Sequence, residues 1–84
     1  MESARRDQRR AAGERTRARL MDAALDLLPE RGEEGVTLRD VTDAADANVA
    51  AVSYHFGSLK SLFDAAIEHA LERYLDAQQA AVSA

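Results

Sequence analysis

Two histidines are the side chains in this sequence that come closest to catalytic or metal-binding chemistry. His55 follows Tyr54, but no paired carboxylate or nucleophile stands at a spacing that would support proton transfer or covalent catalysis. His69 stands beside Glu68 and Glu72, and we interpret these three residues as a solvated polar face of a helix rather than as a metal site. We therefore expect no enzyme activity, no catalytic residue, no metal site and no cofactor.

The segment that ends at His55 has the composition needed for a different chemistry, the recognition of DNA bases. An Asn side chain can bond an adenine edge in a bidentate way, and an Ala methyl can pack on the methyl group of thymine. Tyr54 could instead be a core aromatic, but we favour a DNA contact because Val52 and Phe56 already provide inward anchors. Val49 could point inward or be exposed. The candidate residues for contacts in the major groove are Asn48, Val49, Ala50, Ala51, Ser53 and Tyr54.

A second set of candidates could meet DNA phosphates. These residues lie near the starts of helices predicted below, or near the ends of the segment that holds the candidate base contacts, where backbone N–H groups and cations can reach a phosphate. For Arg39, a surface ion pair with Asp40 or Asp43 is an equally open alternative. The candidates are Thr37, Arg39, His55 and Lys60.

Charge is distributed unevenly along the chain, although the net charge is only −4. Residues 1–19 hold seven arginines against three acidic residues, a balance of +4, whereas the rest holds four basic against twelve acidic residues, a balance of −8. A basic head on an acidic body suggests a directional electrostatic contact, to which these arginines would add a sequence-independent part. A disordered, tag-like tail is the alternative for residues 1–10. The seven arginines are Arg5, Arg6, Arg9, Arg10, Arg15, Arg17 and Arg19.

Length and composition indicate one small soluble domain. The chain has 84 residues, 46% of them hydrophobic and 31% charged, and it has no cysteine. A core this small would gain from packing against a partner. We expect a cytoplasmic protein with no membrane segment, because no apolar run approaches spanning length and the arginine-rich N-terminus lacks the apolar stretch of a secretion signal.

Apolar residues recur at three- and four-residue steps, which predicts an all-α fold without a sheet. We predict a first helix over residues 14–30, which Pro29 should kink or end, with Gly32 and Gly35 supplying the loop. Its predicted apolar stripe contains Leu20, Ala23, Ala24, Leu27 and Leu28.

Two short helices should follow. Thr37 can cap the N–H of Asp40 at the start of the first one, and Asn48 is a good N-cap for the second, which Gly57 should end. The apolar face of the first is predicted to contain Leu38, Val41, Ala44 and Ala45.

The fourth helix is predicted to be long, capped by Ser58 and helical to about Ala81. The second half of its apolar stripe needs something to cover it, and we expect no small-molecule pocket in a chain with so few residues left after this helix. The stripe contains Leu59, Leu62, Phe63, Ala66, Ile67, Ala70, Leu71, Tyr74 and Leu75.

Three runs of residues resemble one protein family. Residues 23–32 (AALDLLPERG) are similar to the end of its first helix, residues 36–41 (VTLRDV) to the start of its second, and residues 48–58 (NVAAVSYHFGS) to its recognition helix and following turn. From Arg19 to Phe63 the chain resembles the N-terminal domain of the TetR family of transcriptional regulators. The family usually has Gly where Asp46 stands, a phosphate-contacting Lys where Leu59 stands, and a helix former where Pro29 stands.

The resemblance implies a three-helix helix-turn-helix DNA-binding domain followed by a long fourth helix. It also implies a homodimer that places its third helices in successive major grooves of a double-stranded operator, and a C-terminal ligand domain largely absent here. We expect a basic arm over residues 1–13, the helix-turn-helix over 14–57, the connecting helix over 58–84, and a recognition helix at about 48–55. The predicted function is sequence-specific repression; the alternative is a helical protein-interaction or dimerisation module with weak or no DNA binding.

Overall fold

The structure is a computed structural model that describes the backbone of residues 2–83 and the side chains of residues 6–80. Over these residues the chain forms helices and no strand, which confirms the predicted all-α fold. The side chain of Arg5, one of the predicted basic head, lies outside the described residues. The helices are α1 (Glu2–Gly35), α2 (Leu38–Ala45), α3 (Val49–Phe56) and α4 (Leu59–Ser83).

Helix α1 is longer than the predicted helix at both ends. It begins at Glu2 rather than at residue 14, in a segment made mostly of good helix formers such as Ala, Arg and Gln. It also runs through Pro29, and the backbone departs from helical geometry at Gly32, with φ 70° and ψ 166°. Gly adopts a positive φ at little steric cost, so the bend falls there rather than at the proline. The expected division of the chain near residues 13 and 57 stays a prediction.

The core lies where all four helices meet. Leu20, Val41, Val52 and Leu62 are its largest fully buried side chains, and each comes from a different helix. The predicted stripes of α1 and α4 contribute buried residues, whereas Leu27 and Leu28 are only half-buried. Met21 and Val36 are buried without having been predicted. The remaining buried apolar residues are Ala23, Ala24, Ala45, Phe63 and Ala66.

One position of the predicted face of α2 is wrong. Ala44 is exposed, and Thr42 is buried instead. At about 100° per residue, position 42 lies about 40° from Leu38 and about 60° from Ala45, at one edge of the inward face, whereas position 44 lies about 60° beyond Val41 at the opposite edge, on the solvent side. The Thr42 hydroxyl donates to the carbonyl of Arg39 at 3.2 Å, so its burial leaves no unsatisfied group.

The start of α2 is fixed by a capping box. The Thr37 hydroxyl accepts from the Asp40 N–H at 3.1 Å, as predicted, and the Asp40 carboxylate accepts from the Thr37 N–H at 2.9 Å. Val36 and Val41, which flank this box at the positions of a hydrophobic staple, are both buried. Arg31 near the end of α1 pairs with the Asp40 carboxylate at 3.1 Å and so ties α1 to α2.

Helix α4 is buried only in its first half. The Ser58 hydroxyl accepts from the Ser61 N–H at 3.1 Å, so the predicted cap is present. Beyond Ala66 the stripe opens to solvent, as expected. Within the described residues, no helix is both long enough and apolar enough to cross a membrane. The exposed large apolar side chains of α4 are Ile67, Leu71, Tyr74 and Leu75.

The capping box predicts a specific response to acid. The pKa of Asp40 is lowered from its ordinary value of 3.8, chiefly by the hydrogen bond that its carboxylate accepts from the backbone N–H of Thr37. The hydrogen bond with the Thr37 side chain and the nearby Arg31 guanidinium lower this pKa further. A carboxyl group whose pKa is lowered by folding stabilises the folded state when the pH is above the pKa of the unfolded chain. This contribution is lost as the pH falls through the lowered pKa of the folded state. We expect Asp40→Asn to be less stable than the parent at pH 7 and the difference to shrink below pH 3.8. Urea unfolding of both chains from pH 7 to pH 2 measures the difference in their free energies of unfolding. A difference that stays constant with pH would contradict the stabilising role of the Asp40 carboxylate.

Candidate nucleic-acid interface

A tight left-handed turn sets the angle between α2 and α3. Asp46 adopts φ 53° and ψ 50°, the left-handed conformation that favours Gly. Its N–H points back to the carbonyl of Asp43 at 3.3 Å, and the Ala47 N–H bonds the carbonyl of Thr42 at 2.9 Å. An Asp in this conformation costs less than a bulky residue but more than Gly, because its Cβ approaches the following carbonyl. The turn is therefore formed despite the departure from the family pattern.

Helix α3 is closed at both ends by local contacts. The Asn48 Oδ1 accepts from the Ala51 N–H at 2.9 Å, which confirms the predicted N-cap. At the other end Gly57, with φ 86°, donates its N–H toward the carbonyls of Val52 and Ser53 at 3.1 Å each. The cap also constrains Asn48 as a DNA ligand, because a bidentate contact with adenine would have to share the oxygen that already serves the helix.

The outward face of α3 carries small side chains and one aromatic. Tyr54 is 84% exposed, so its interpretation as a core aromatic is wrong. Val49 is 49% exposed and so is not an inward anchor, whereas Val52 is buried and Phe56 half-buried. Ala50 and Ser53 are exposed as well. This face therefore has few bulky groups that would hold the helix backbone away from a groove.

The structure brings most of the candidate groove residues together with α1. An open cleft of about 470 Å³ lies between the first part of α3 and the middle of α1. Thr16 and Arg19 line it from α1, and neither contribution was expected. The predicted residues that line it are Asn48, Ala50, Ala51, Tyr54 and His55.

Three phosphate candidates lie outside this cleft and differ in how they are held. Thr37 is engaged in the capping box. Arg39 is exposed and forms no ion pair with Asp40 or Asp43 among the described side chains, where Asp40 pairs with Arg31 instead.

Lys60 is also exposed, and it pairs weakly with Asp64 at 3.4 Å across one helical turn. A contact of this kind breaks easily, so the Lys60 ammonium could move to a phosphate. The DNA contacts of all these site residues stay predictions.

Arg17 and Arg19, which we predicted to belong to the basic head, each donate a part-buried hydrogen bond to another helix, although Arg19 itself stays exposed. Arg17 Nη1 donates to the carbonyl of His55 at 2.9 Å, and Arg19 Nε donates to the carbonyl of Ala45 at 3.2 Å. One signal could have revealed Arg17: it lies one helical turn before Leu20 and so extends the inward stripe of α1.

The acidic groups around His69 do not form a metal site in the described part of the chain. Arg17, Met21, Glu68, His69 and Glu72 line a shallow cleft of about 270 Å³ between α1 and α4, with Ala65. Among the residues searched, no three His, Asp or Glu side chains are arranged to hold a metal ion.

These features define a class of protein. A short helix, a tight turn and a second short helix with an exposed face of small side chains, braced by longer helices, make a helix-turn-helix DNA-binding domain. The sequence model described as bacterial regulatory proteins, tetR family, matches residues 20–66, which is more than half of the chain. The chain belongs to this family.

Curated relatives agree with this assignment. The chain is 32% identical over 50 residues to the biofilm operon icaADBC HTH-type negative transcriptional regulator IcaR of Staphylococcus aureus, covering 60% of this chain and 27% of IcaR. It is 38% identical over 55 residues to the HTH-type transcriptional regulator BetI of Burkholderia thailandensis, covering 66% of this chain and 28% of BetI. The matched segment therefore spans little more than a quarter of each relative.

The exposed face of α3 predicts how substitutions there should act. Tyr54→Ala removes an 84% exposed side chain, so we expect stability within about 0.5 kcal/mol of the parent and a loss of about 1–3 kcal/mol in binding to a DNA duplex selected by the parent. Urea unfolding and fluorescence anisotropy with labelled DNA measure the two effects.

Asn48 needs a matched pair of variants, because it caps the helix. Asn48→Ala should lose about 1 kcal/mol of stability, whereas Asn48→Ser keeps a capping oxygen and should retain it. If Asn48 contacts a base, both variants bind the selected duplex more weakly. Wild-type affinity for both Asn48→Ser and Tyr54→Ala would show that α3 is not the reading helix.

Proposed function

We propose that this chain is the DNA-reading domain of a bacterial transcriptional repressor, with α3 in the major groove of a double-stranded operator. The observation that carries the proposal is the exposed face of α3, whose small side chains flank Tyr54 while Val52 anchors the helix in the core. Repression, rather than activation, is supported by the name of IcaR, a negative transcriptional regulator. The proposed function involves no catalytic step. It places the protein in the cytoplasm, where the DNA of a bacterium lies.

The first turns of α1 would add phosphate contacts beside the groove. A Cβ placed on Gly13 would lie 3.7 Å from the His55 ring, so α1 passes close to the end of α3 at this point. Counting back in steps of three or four residues, Arg10, Arg9 and Arg6 lie on the same side of α1, and all three are exposed. Their charges would bind any DNA sequence alike, since phosphates carry no sequence information.

A homodimer is the expected assembly, because an operator with two half-sites needs two reading helices. The exposed stripe of Ile67, Leu71, Tyr74 and Leu75 on α4 supports self-association.

Light scattering over a concentration series tests this self-association. We expect the parent to gain mass and Leu71→Glu to stay monomeric. Arg73→Gln makes the same change in net charge outside the stripe and should behave as the parent; a monomeric parent at high concentration would exclude this pairing.

The second candidate function is a helical protein-interaction module with little DNA affinity. The same exposed stripe on α4 and the acidic balance after residue 19 favour it. In that case the chain would show weak affinity for DNA, with no preference among sequences.

A salt titration separates the two functions. The chain is first used to select a duplex from a randomised pool, and its affinity is then measured for the selected and a scrambled duplex at two salt concentrations. DNA binding through phosphates makes affinity fall steeply with salt, with a logarithmic slope of about −0.9 per phosphate neutralised. We expect the selected duplex to bind at least about a thousand-fold tighter than the scrambled one. Failure to enrich any sequence would reject the proposal.

The basic head is tested in the same titration. Deleting residues 1–10 should weaken binding to both duplexes by a similar factor and flatten the salt dependence, because it removes sequence-independent contacts. The triple variant Arg6→Gln, Arg9→Gln and Arg10→Gln keeps helix-forming residues and should reproduce this effect through charge alone. Arg73→Gln on α4 is the control, and it should leave the salt dependence of binding unchanged for both the selected and the scrambled duplex. A loss confined to the selected duplex, with an unchanged slope, would contradict the phosphate role.

A further inference from the structure

Arg17 joins α1 to the last turn of the reading helix by two contacts at once. Its Nη1 donates to the carbonyl of His55 at 2.9 Å, and its guanidinium carbon lies 4.4 Å from the centre of the Phe56 ring. The hydrogen bond is partly buried. Contacts to two successive residues, one through an N–H of the guanidinium and one through its position over an aromatic ring, restrain both the position and the rotation of the end of α3.

Arg19 contacts the end of α2 by a single hydrogen bond. Its Nε donates to the carbonyl of Ala45, the last residue of α2, at 3.2 Å. The last turn of α2 contains no basic residue of its own, so α1 supplies the positive charge that a helix C-terminus favours. The final carbonyls of a helix lack partners within the helix, and these two arginines supply partners for both helices of the motif.

We propose that Arg17 is a positioning residue for DNA recognition: it fixes the direction in which α3 presents Asn48 and Tyr54, rather than binding a phosphate itself. The inference rests on the proposed DNA-binding function and divides the basic head into two groups. Exposed arginines such as Arg15 would supply charge to the DNA, whereas Arg17 is used inside the domain.

The chemistry of the two contacts explains why the position needs Arg. A planar guanidinium can stack on the Phe56 ring while its edge donates to the His55 carbonyl. A Lys ammonium is a compact charge that can do only one of these at a time, so Arg17→Lys keeps the charge but loses the restraint. A phosphate contact would tolerate the same substitution far better, because Lys also binds phosphate as a point charge.

Arg17→Lys in the full 84-residue chain tests the proposal, with Arg73→Lys on the exposed surface of α4 as the matched control. The probes are the duplex that the parent selects from a randomised pool and a scrambled duplex. We expect Arg17→Lys to lose about tenfold in affinity for the selected duplex, with unchanged affinity for the scrambled duplex and an unchanged salt slope. Arg73→Lys should leave both affinities unchanged. Parent-like discrimination by Arg17→Lys, or an equal loss on both duplexes with a flatter slope, would overturn the proposal.

Hydrogen exchange without DNA separates this inference from the proposed function. The Gly57 N–H, bonded to the carbonyls of Val52 and Ser53, reports on the end of α3. In Arg17→Lys it should exchange several-fold faster, while the N–H groups of the buried Leu62 and Phe63 exchange as in the parent, which excludes global unfolding. If the parent selects no sequence, the proposed function fails, and the exchange data then decide alone: unchanged exchange at Gly57 overturns the restraint, and faster exchange supports it.

Discussion

The meeting of Leu20, Val41, Val52 and Leu62, one fully buried side chain from each helix, is the constraint on which the rest of the structure depends. Helices α2 and α3 have eight residues each, which is too short for a helix to be stable in water alone. Burial of such side chains contributes about 1.5–3 kcal/mol each, and it is available only when all four helices are in place. The outward face of α3 therefore exists because its inward face is held by the core.

Polar contacts at the helix ends fix the bounds and the orientation of the two short helices that the core holds together. The start of each short helix is satisfied by its own residue, Thr37 for α2 and Asn48 for α3, whereas the ends receive donors from α1 through Arg19 and Arg17. Local caps decide where a helix begins, and contacts from a distant helix decide how it is oriented. The exposed side chains of α3, such as Ala50 and Ser53, are not part of the core, so under the proposed function they would be available to contact DNA.

The sequence predicted the features that depend on near neighbours. The caps at Thr37, Asn48 and Ser58 act within three residues, so residue type and spacing were enough to find them. The roles of Arg17 and Arg19 depend on partners 38 and 26 residues away, and residue type alone does not distinguish them from the other arginines. Only the position of Arg17, one turn before Leu20, gives a sign that it turns inward. The helical start of α1 was missed because residues 2–13 lack an apolar stripe, which is the main signal for a helix. Contacts to DNA depend on the shape of the duplex as well as on this chain, so residue type and spacing predict candidates for them and no geometry.

The central claim is that this fold presents α3, and not α4, to DNA. Backbone NMR chemical shifts of the labelled chain, followed while the selected duplex is added, test it most directly, because each N–H group reports its own surroundings. The account predicts the largest shifts between Val49 and Tyr54 and at Thr37, with smaller ones along the first turns of α1 and none from Glu68 to Leu75. Shifts concentrated on Ile67, Leu71 and Leu75, with α3 unmoved, would contradict it and favour a protein-interaction module.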